Sequence, residues 1–305
     1  MTPSSSSPTA QSFRAWASAA SLVDALARAE AAVRARPQES RARWLLVELL
    51  CVRGDWPRAM KQLQAWAALS KDFDSTAHVV RGLIRAEIQR AEVFAGRIRP
   101  ATLAAAAWGE GATEEHAPVP EEAPSAPAWL AGLADALEHA AVSAAVAGTT
   151  GVDVGDDARE AALSQAPAVS GQSNLVPAFT WVSDSDSRLG PVCEVVLIGA
   201  YRWIAFQDLR SIEKRAPQRL LDLVWSQADL VLRDGTPLKG YMPMRYPVAT
   251  GDQDALLLGR ETVWYDVGRT GVHAHGQKVW MSSEGDMPLL DLRTCRFDTA
   301  GQHAA

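Results

Sequence analysis

The sequence predicts an α+β protein of two domains, amino-terminal α-helical hairpins followed by a small mixed, mainly antiparallel β domain. Three observations predict it. From Leu22 to Gly96 the chain runs in Ala- and Leu-rich segments of helical length, punctuated at Pro37, Gly54-Asp55 and Gly96. After Gly171, short β-branched and aromatic runs alternate with Gly, Pro and Asp. The character changes at Thr180 to Phe206, where a carboxylate-rich turn and Gly190-Pro191 lead into two apolar segments split by Gly199-Ala200.

Leu22 to Arg36 has no internal breaker until Pro37. A second helix is expected from Ser40 to Arg53, stopped by Gly54, and a third after Asp55-Trp56-Pro57, with Asp55 as cap, through Leu69. A fourth spans Thr76 to Ala95. Its apolar stripe would be Val80, Ile84, Ile88, Ala91 and Ala95, beside a polar stripe of Arg81, Arg85, Gln89 and Glu92. Shifting the chain by 34 residues pairs Leu22 with Trp56, Ala25 with Ala59, Ala29 with Leu63 and Ala32 with Trp66. That period resembles a tetratricopeptide repeat. Stacked in that way, the hairpins would turn Arg41, Trp44, Glu48, Arg81 and Arg85 toward a groove suited to a partner helix or extended peptide. The plainer alternative makes Trp44 core and the arginines solvated.

The expected division is a disordered tail over 1–19, a helical domain over 20–147 with a flexible insert at about 100–127, a linker over 148–174, the β domain over 175–297 and a tail over 298–305. Trp129 to Ala147 reads as helix, and Asp157 to Gln165 as a short one. In the β domain, strands are expected at Val192–Ile198, Tyr201–Phe206, Asp208–Lys214, Leu220–Trp225, Asp229–Leu232, Leu238–Met242, Glu261–Val267, Lys278–Met281 and Leu289–Arg293, with Asp234-Gly235 as a hairpin turn.

The 305 residues are 48% hydrophobic and 22% charged, ordinary for a chain with a core. No apolar run of about 18 residues exists, so no membrane insertion is expected, and the Ser-rich start lacks a secretory pattern. Three widely spaced cysteines fit a reducing, cytoplasmic setting. The net charge of −6 argues against nucleic acid, and its distribution is uneven: +6 over 13–99 and −10 over 100–170. The acidic stretch reads either as a solvated linker or as a segment folding back on the basic helices.

No nucleophile motif, phosphate loop or dinucleotide fingerprint is present, so an enzyme and a cofactor are not expected. Asp184 and Asp186 lack the Gly and closing Glu of a calcium loop; with Arg188, Gly190 and Pro191 they read as a structural turn. His273 and His275 would share one face of a strand, and a zinc site would need Cys295 or Asp291 as well. No metal is expected, and a small-ligand or metal-binding β domain is the alternative reading.

The ordered motifs WVSDSDSRLGPVCEVVLIGAYRWIAF, DLVWSQADLVLRDG, MPMRYP, LLLGRETVW, GQKVWM and PLLDLR resemble the carboxy-terminal domain of the ImpE/TagJ (SciE-type) family of type VI secretion accessory proteins. LLVELLCVRGDWPRAMKQLQAWAALS and RAEIQRAEVFAGR resemble that family's amino-terminal part. The resemblance implies a cytoplasmic, non-enzymatic accessory factor that binds a helix of the small contractile-sheath subunit. It also implies a role in sheath recycling by the ATPase ClpV.

Overall fold

Residues 21–102, 126–147 and 154–298 are described in a computed structural model. The expected tail over 1–19, most of the insert and all but one residue of the final tail lie outside them.

Helix α1 (Leu22–Ala35) starts where the Ser21 hydroxyl accepts the Asp24 N–H and stops ahead of Pro37. Helix α2 (Ser40–Arg53) ends at Gly54, whose φ of 77° is left-handed. The Asp55 carboxylate caps α3 (Trp56–Ala67) with Pro57 in its first turn, and α4 (Asp74–Phe94) follows a short 3-10 turn. Of the positions paired by the 34-residue shift, Leu22, Ala25, Ala29, Ala59, Leu63 and Trp66 are buried and Ala32 and Trp56 are half-buried. The stripe expected on α4 needs correction. Ile88 is 48% exposed and Ala91 is exposed, whereas Ala77, Leu83, Ala86, Glu87, Arg90 and Val93 are buried with Val80 and Ile84. Two charged residues stand on the inward face because the other half of the molecule supplies their partners, which an apolar-periodicity test misses.

After β1 (Ala101–Thr102), α5 (Ala128–Ala147) and α6 (Val154–Ser164) form an antiparallel pair. Strands β2 (Gly171–Ser173), β3 (Val182–Asp184), β4 (Val192–Leu197), β5 (Ala200–Ala205), β6 (Leu209–Lys214), β7 (Trp225–Leu232) and β8 (Pro237–Pro243) come next. A single-turn helix α7 (Asp254–Leu257) precedes β9 (Thr262–Val267), β10 (Gly271–Gly276), β11 (Val279–Ser282), β12 (Gly285–Pro288) and β13 (Thr294–Phe297). The main sheet has the order β1-β5-β4-β8-β7-β6-β13-β2, with β1 parallel to β5 and all other pairs antiparallel. Strands β12-β11-β3 form a second sheet, and β9-β10 a separate ribbon.

The fold is therefore α+β, with a mixed and mostly antiparallel sheet. Some expected boundaries shift. The stretch over 148–174 carries α6 and β2, and β1 brings the start of the expected insert into the main sheet. Leu289–Arg293 is no strand: Leu289, Leu290 and Leu292 are core residues supplied by a turn between β12 and β13. Nor is Leu220–Trp225 a strand: Leu220–Leu223 forms a 3-10 turn packed on α2, its apolar side chains buried there, and only Trp225 begins β7. One hydrophobic cluster runs through both halves, from Leu50 and Ile84 to Trp203, Trp225 and Trp280. All three cysteines are buried free thiols.

Candidate partner surface and interior charge network

The five residues expected to face a partner do not share one environment. The Leu220–Leu223 turn lies against α2 and buries Glu48, leaving it 8% exposed. Burial raises its pKa to about 7, opposed by the positive charge of Arg219 and a hydrogen bond from Trp44. Trp44 is half-buried and meets Trp66 at a tilt of 42° with ring centroids 4.5 Å apart; Trp66 in turn stacks on Phe73 at 4.1 Å. Arg41 and Arg85 are exposed and Arg81 is half-buried. On α4, Arg81, Arg85 and Ile88 follow one another at helical spacing, a ridge that mixes cations with an exposed Ile. The inward side of α2 and α4 is the seam between the two halves.

That seam is charged. Arg90 of α4 reaches Glu194 of β4 through two bonds, Nε to Oε1 at 2.6 Å and Nη2 to Oε2 at 2.9 Å. Lys278 donates to the same Glu194 Oε2 at 2.5 Å and also pairs with Asp184. Tyr201 donates to Glu194 Oε1 at 2.5 Å and accepts from the Trp203 indole at 2.7 Å. The Trp225 indole donates to Glu87 at 3.0 Å. Burial opposes ionisation of Glu194, but Arg90 and Lys278 outweigh it and hold the carboxyl far below the usual range. For Asp184 burial prevails over Lys278, and its pKa rises to about 6. Arg245, also buried, makes no ion pair among the described residues. It donates to the Cys51, Val52 and Leu257 carbonyls, closing the carboxy-terminal end of α2.

Sequence reasoning passed over Arg90, Glu194, Arg245 and Lys278. The available signal was a lone charge within an apolar run. Glu194 stands in VCEVVL, a strand buried at all six positions.

The Asp184–Pro191 segment forms a closed turn. Asp184 Oδ1 accepts the Asp186 N–H at 2.9 Å, and Asp186 Oδ1 accepts the Arg188 N–H at 3.0 Å and Nε at 2.8 Å. Gly190, at φ 59°, returns the chain so that its carbonyl accepts the Asp184 N–H at 2.7 Å. Pro191 then leads into β4, and its carbonyl accepts the Phe206 N–H at 3.0 Å. His273 and His275 do share a face of β10, but they part company there. His275 lies 3.4 Å from Asp252 and edge-on to Tyr265, whereas His273 lines a cavity with Arg159 and Arg188. Among the described residues no three His, Cys, Asp or Glu side chains converge as a metal site requires. No described helix is long and apolar enough to cross a membrane.

Residues 177–296 match the family model described as ImpE protein. Over 279 residues, 91% of this chain and 88% of the relative, the sequence is 36% identical to the type VI secretion system accessory component TagJ of Pseudomonas aeruginosa. The crystal structure of a Vibrio parahaemolyticus protein, 24% identical, shares the fold with a TM-score of 0.74, covering 94% of this chain and 97% of that one. Identity at this level through both the helices and the sheet, together with the match over the β half, makes the chain a member of the ImpE family, to which TagJ belongs.

Proposed function

We propose that the protein is a non-enzymatic, cytoplasmic adaptor of a type VI secretion system. In this reading it holds a helix of the small contractile-sheath subunit and thereby assists ClpV-linked recycling of the sheath. The observation that carries it is 36% identity to an accessory component along nearly the whole chain. The helices, read as a short tetratricopeptide-like array, offer the partner their outer ridge, because Glu48 and much of Trp44 are enclosed. The exposed Arg41 and Arg85, with Arg81 and Ile88 beside them, suit an amphipathic helix bearing acidic residues.

The test is retention of purified sheath subunits on the immobilised full chain, followed by titration of a peptide carrying the small subunit's helix. Arg85→Glu reverses an exposed charge without touching the core, and about a tenfold loss of peptide affinity is expected. An unchanged affinity would move the contact off α4. Failure to retain any sheath component would refute the adaptor reading.

A further inference from the structure

A cavity of about 250 Å³ lies where the end of α4, the facing sides of α5 and α6, the Asp184–Arg188 turn and the β9-β10 ribbon meet. Its apolar wall comes from Phe94, Leu133, Ala136, Leu137 and Ala140. Its polar end holds Asp156, Arg159, Arg188 and His273.

The hydrogen-bond inventory at that end is unbalanced. Both oxygens of Asp186 are engaged, by the Arg188 backbone and guanidinium and by the Ala274 N–H at 3.0 Å. Both oxygens of Asp156 are engaged, one by Arg159 Nη1 and the other by the Arg269 N–H, each at 2.7 Å. Arg159 Nη2 donates to Thr270 at 2.8 Å. What is left is mostly donors: Arg188 Nη1, Arg159 Nε and the His273 ring carry no hydrogen bond among the described residues. The Arg188 guanidinium is also fixed in place, 4.6 Å over the Phe94 ring. A half-enclosed end rich in free donors, with its acceptors saturated, is completed by a ligand that brings acceptors. Each guanidinium is already paired with a carboxylate, so the unengaged N–H donors rather than net charge select the head group: a carboxylate accepts more of them than a hydroxyl, and an amine, itself a donor, is disfavoured. The rest of the lining is apolar, and the whole cavity equals roughly eight water volumes, below the ~300 Å³ at which drug-sized sites begin.

We infer that this cavity binds a small monocarboxylate with an apolar body, its carboxylate at Arg188 and His273 and its hydrocarbon against Phe94 and Leu133. The site lies apart from the Arg81–Arg85 ridge and does not depend on the adaptor reading.

Isothermal titration of the full chain with octanoate, 1-octanol and octylamine tests it. The three probes share one body and differ in the head group. Saturable one-to-one binding is expected for octanoate, at least tenfold weaker binding for octanol, and none for octylamine. His273→Phe, which keeps a ring but removes the nitrogens, and Ala136→Met, which fills the apolar wall, should each lower octanoate affinity about tenfold with the thermal transition retained. Absence of saturable octanoate heat up to about 10 mM would overturn the inference. So would octanol binding as well as octanoate, or both variants binding like the parent. The head-group comparison decides the matter even where a variant does not fold.

Discussion

Glu48 shows at single-residue scale how the second half of the molecule alters what the first half can do. As an isolated helical residue it would be an exposed carboxylate beside Trp44; under the Leu220–Leu223 turn it is buried, and burial lifts its pKa from 4.5 to about 7. An acid whose folded pKa is raised contributes stability that is complete below its unfolded pKa and is lost as pH climbs through the folded one. The window here runs from about 4.5 to about 7. Glu48→Gln keeps the shape and an acceptor for Trp44 but cannot ionise. It should therefore be more stable than the parent at pH 8, by on the order of 3 kcal/mol, and no more stable at pH 4. Urea denaturation at the two pH values measures this, and an equal difference at both would exclude the titration of Glu48 as the cause. In the sequence Glu48 and Arg85 look alike, both polar positions on helices facing a supposed groove. What separates them is a turn 170 or more residues away, and no local pattern carries that information.

At the scale of elements the turn chemistry was the most legible feature, because Gly, Pro and Asp act through their own backbones. Gly54 ends α2, Asp55 caps α3 and Gly235 turns β7 into β8 as their neighbours dictate. The strand at Leu289–Arg293 was misread for the opposite reason. Its leucines are core residues, and burial alone does not distinguish a strand from a packed turn. One turn breaks the local rules. The two-residue loop between β4 and β5 has left-handed φ at both positions, 50° at Ile198 and 75° at Gly199. Gly199 fits that geometry and also lets the hairpin approach α4, where a Cβ on Gly82 would lie 3.1 Å from the Gly199 Cα. Ile198 does not fit: it is β-branched and 92% exposed, so no burial offsets the backbone cost. Ile198→Asn supplies the residue type such turns prefer and should raise stability by about 1 kcal/mol. A denaturation midpoint at or below the parent's would show that Ile198 is held by contacts with its surroundings.

The whole molecule is less divisible than its sequence suggests. Composition separates a basic helical stretch from a β region by an acidic one, which reads as two domains on a linker. In the folded chain the hydrophobic cluster is continuous, and buried polar groups of each half complete their hydrogen bonding on the other. Arg90 needs Glu194, Glu87 receives the Trp225 indole, and the last carbonyls of α2 are closed by Arg245. The Leu22 N–H at the start of α1 donates to Asp254 at 2.8 Å. Separating the halves would strand these groups and open the apolar seam around them. Removing one partner in place, with the seam still closed, leaves a buried charge short of its main counter-charge and costs about 3–5 kcal/mol, a large share of the 5–15 kcal/mol by which a folded chain is stable. A protein cut to residues 1–100 should therefore show no cooperative melt by circular dichroism. The full chain should unfold in one transition whose calorimetric and van't Hoff enthalpies agree for the described body. A sigmoidal melt of the fragment near the temperature of the full chain would mean that the helices fold by themselves and that the charged seam is a docking contact between independent domains. In that case Arg90→Ala should leave the fragment's melt unchanged while lowering the full chain's, and the two measurements together locate the cooperativity.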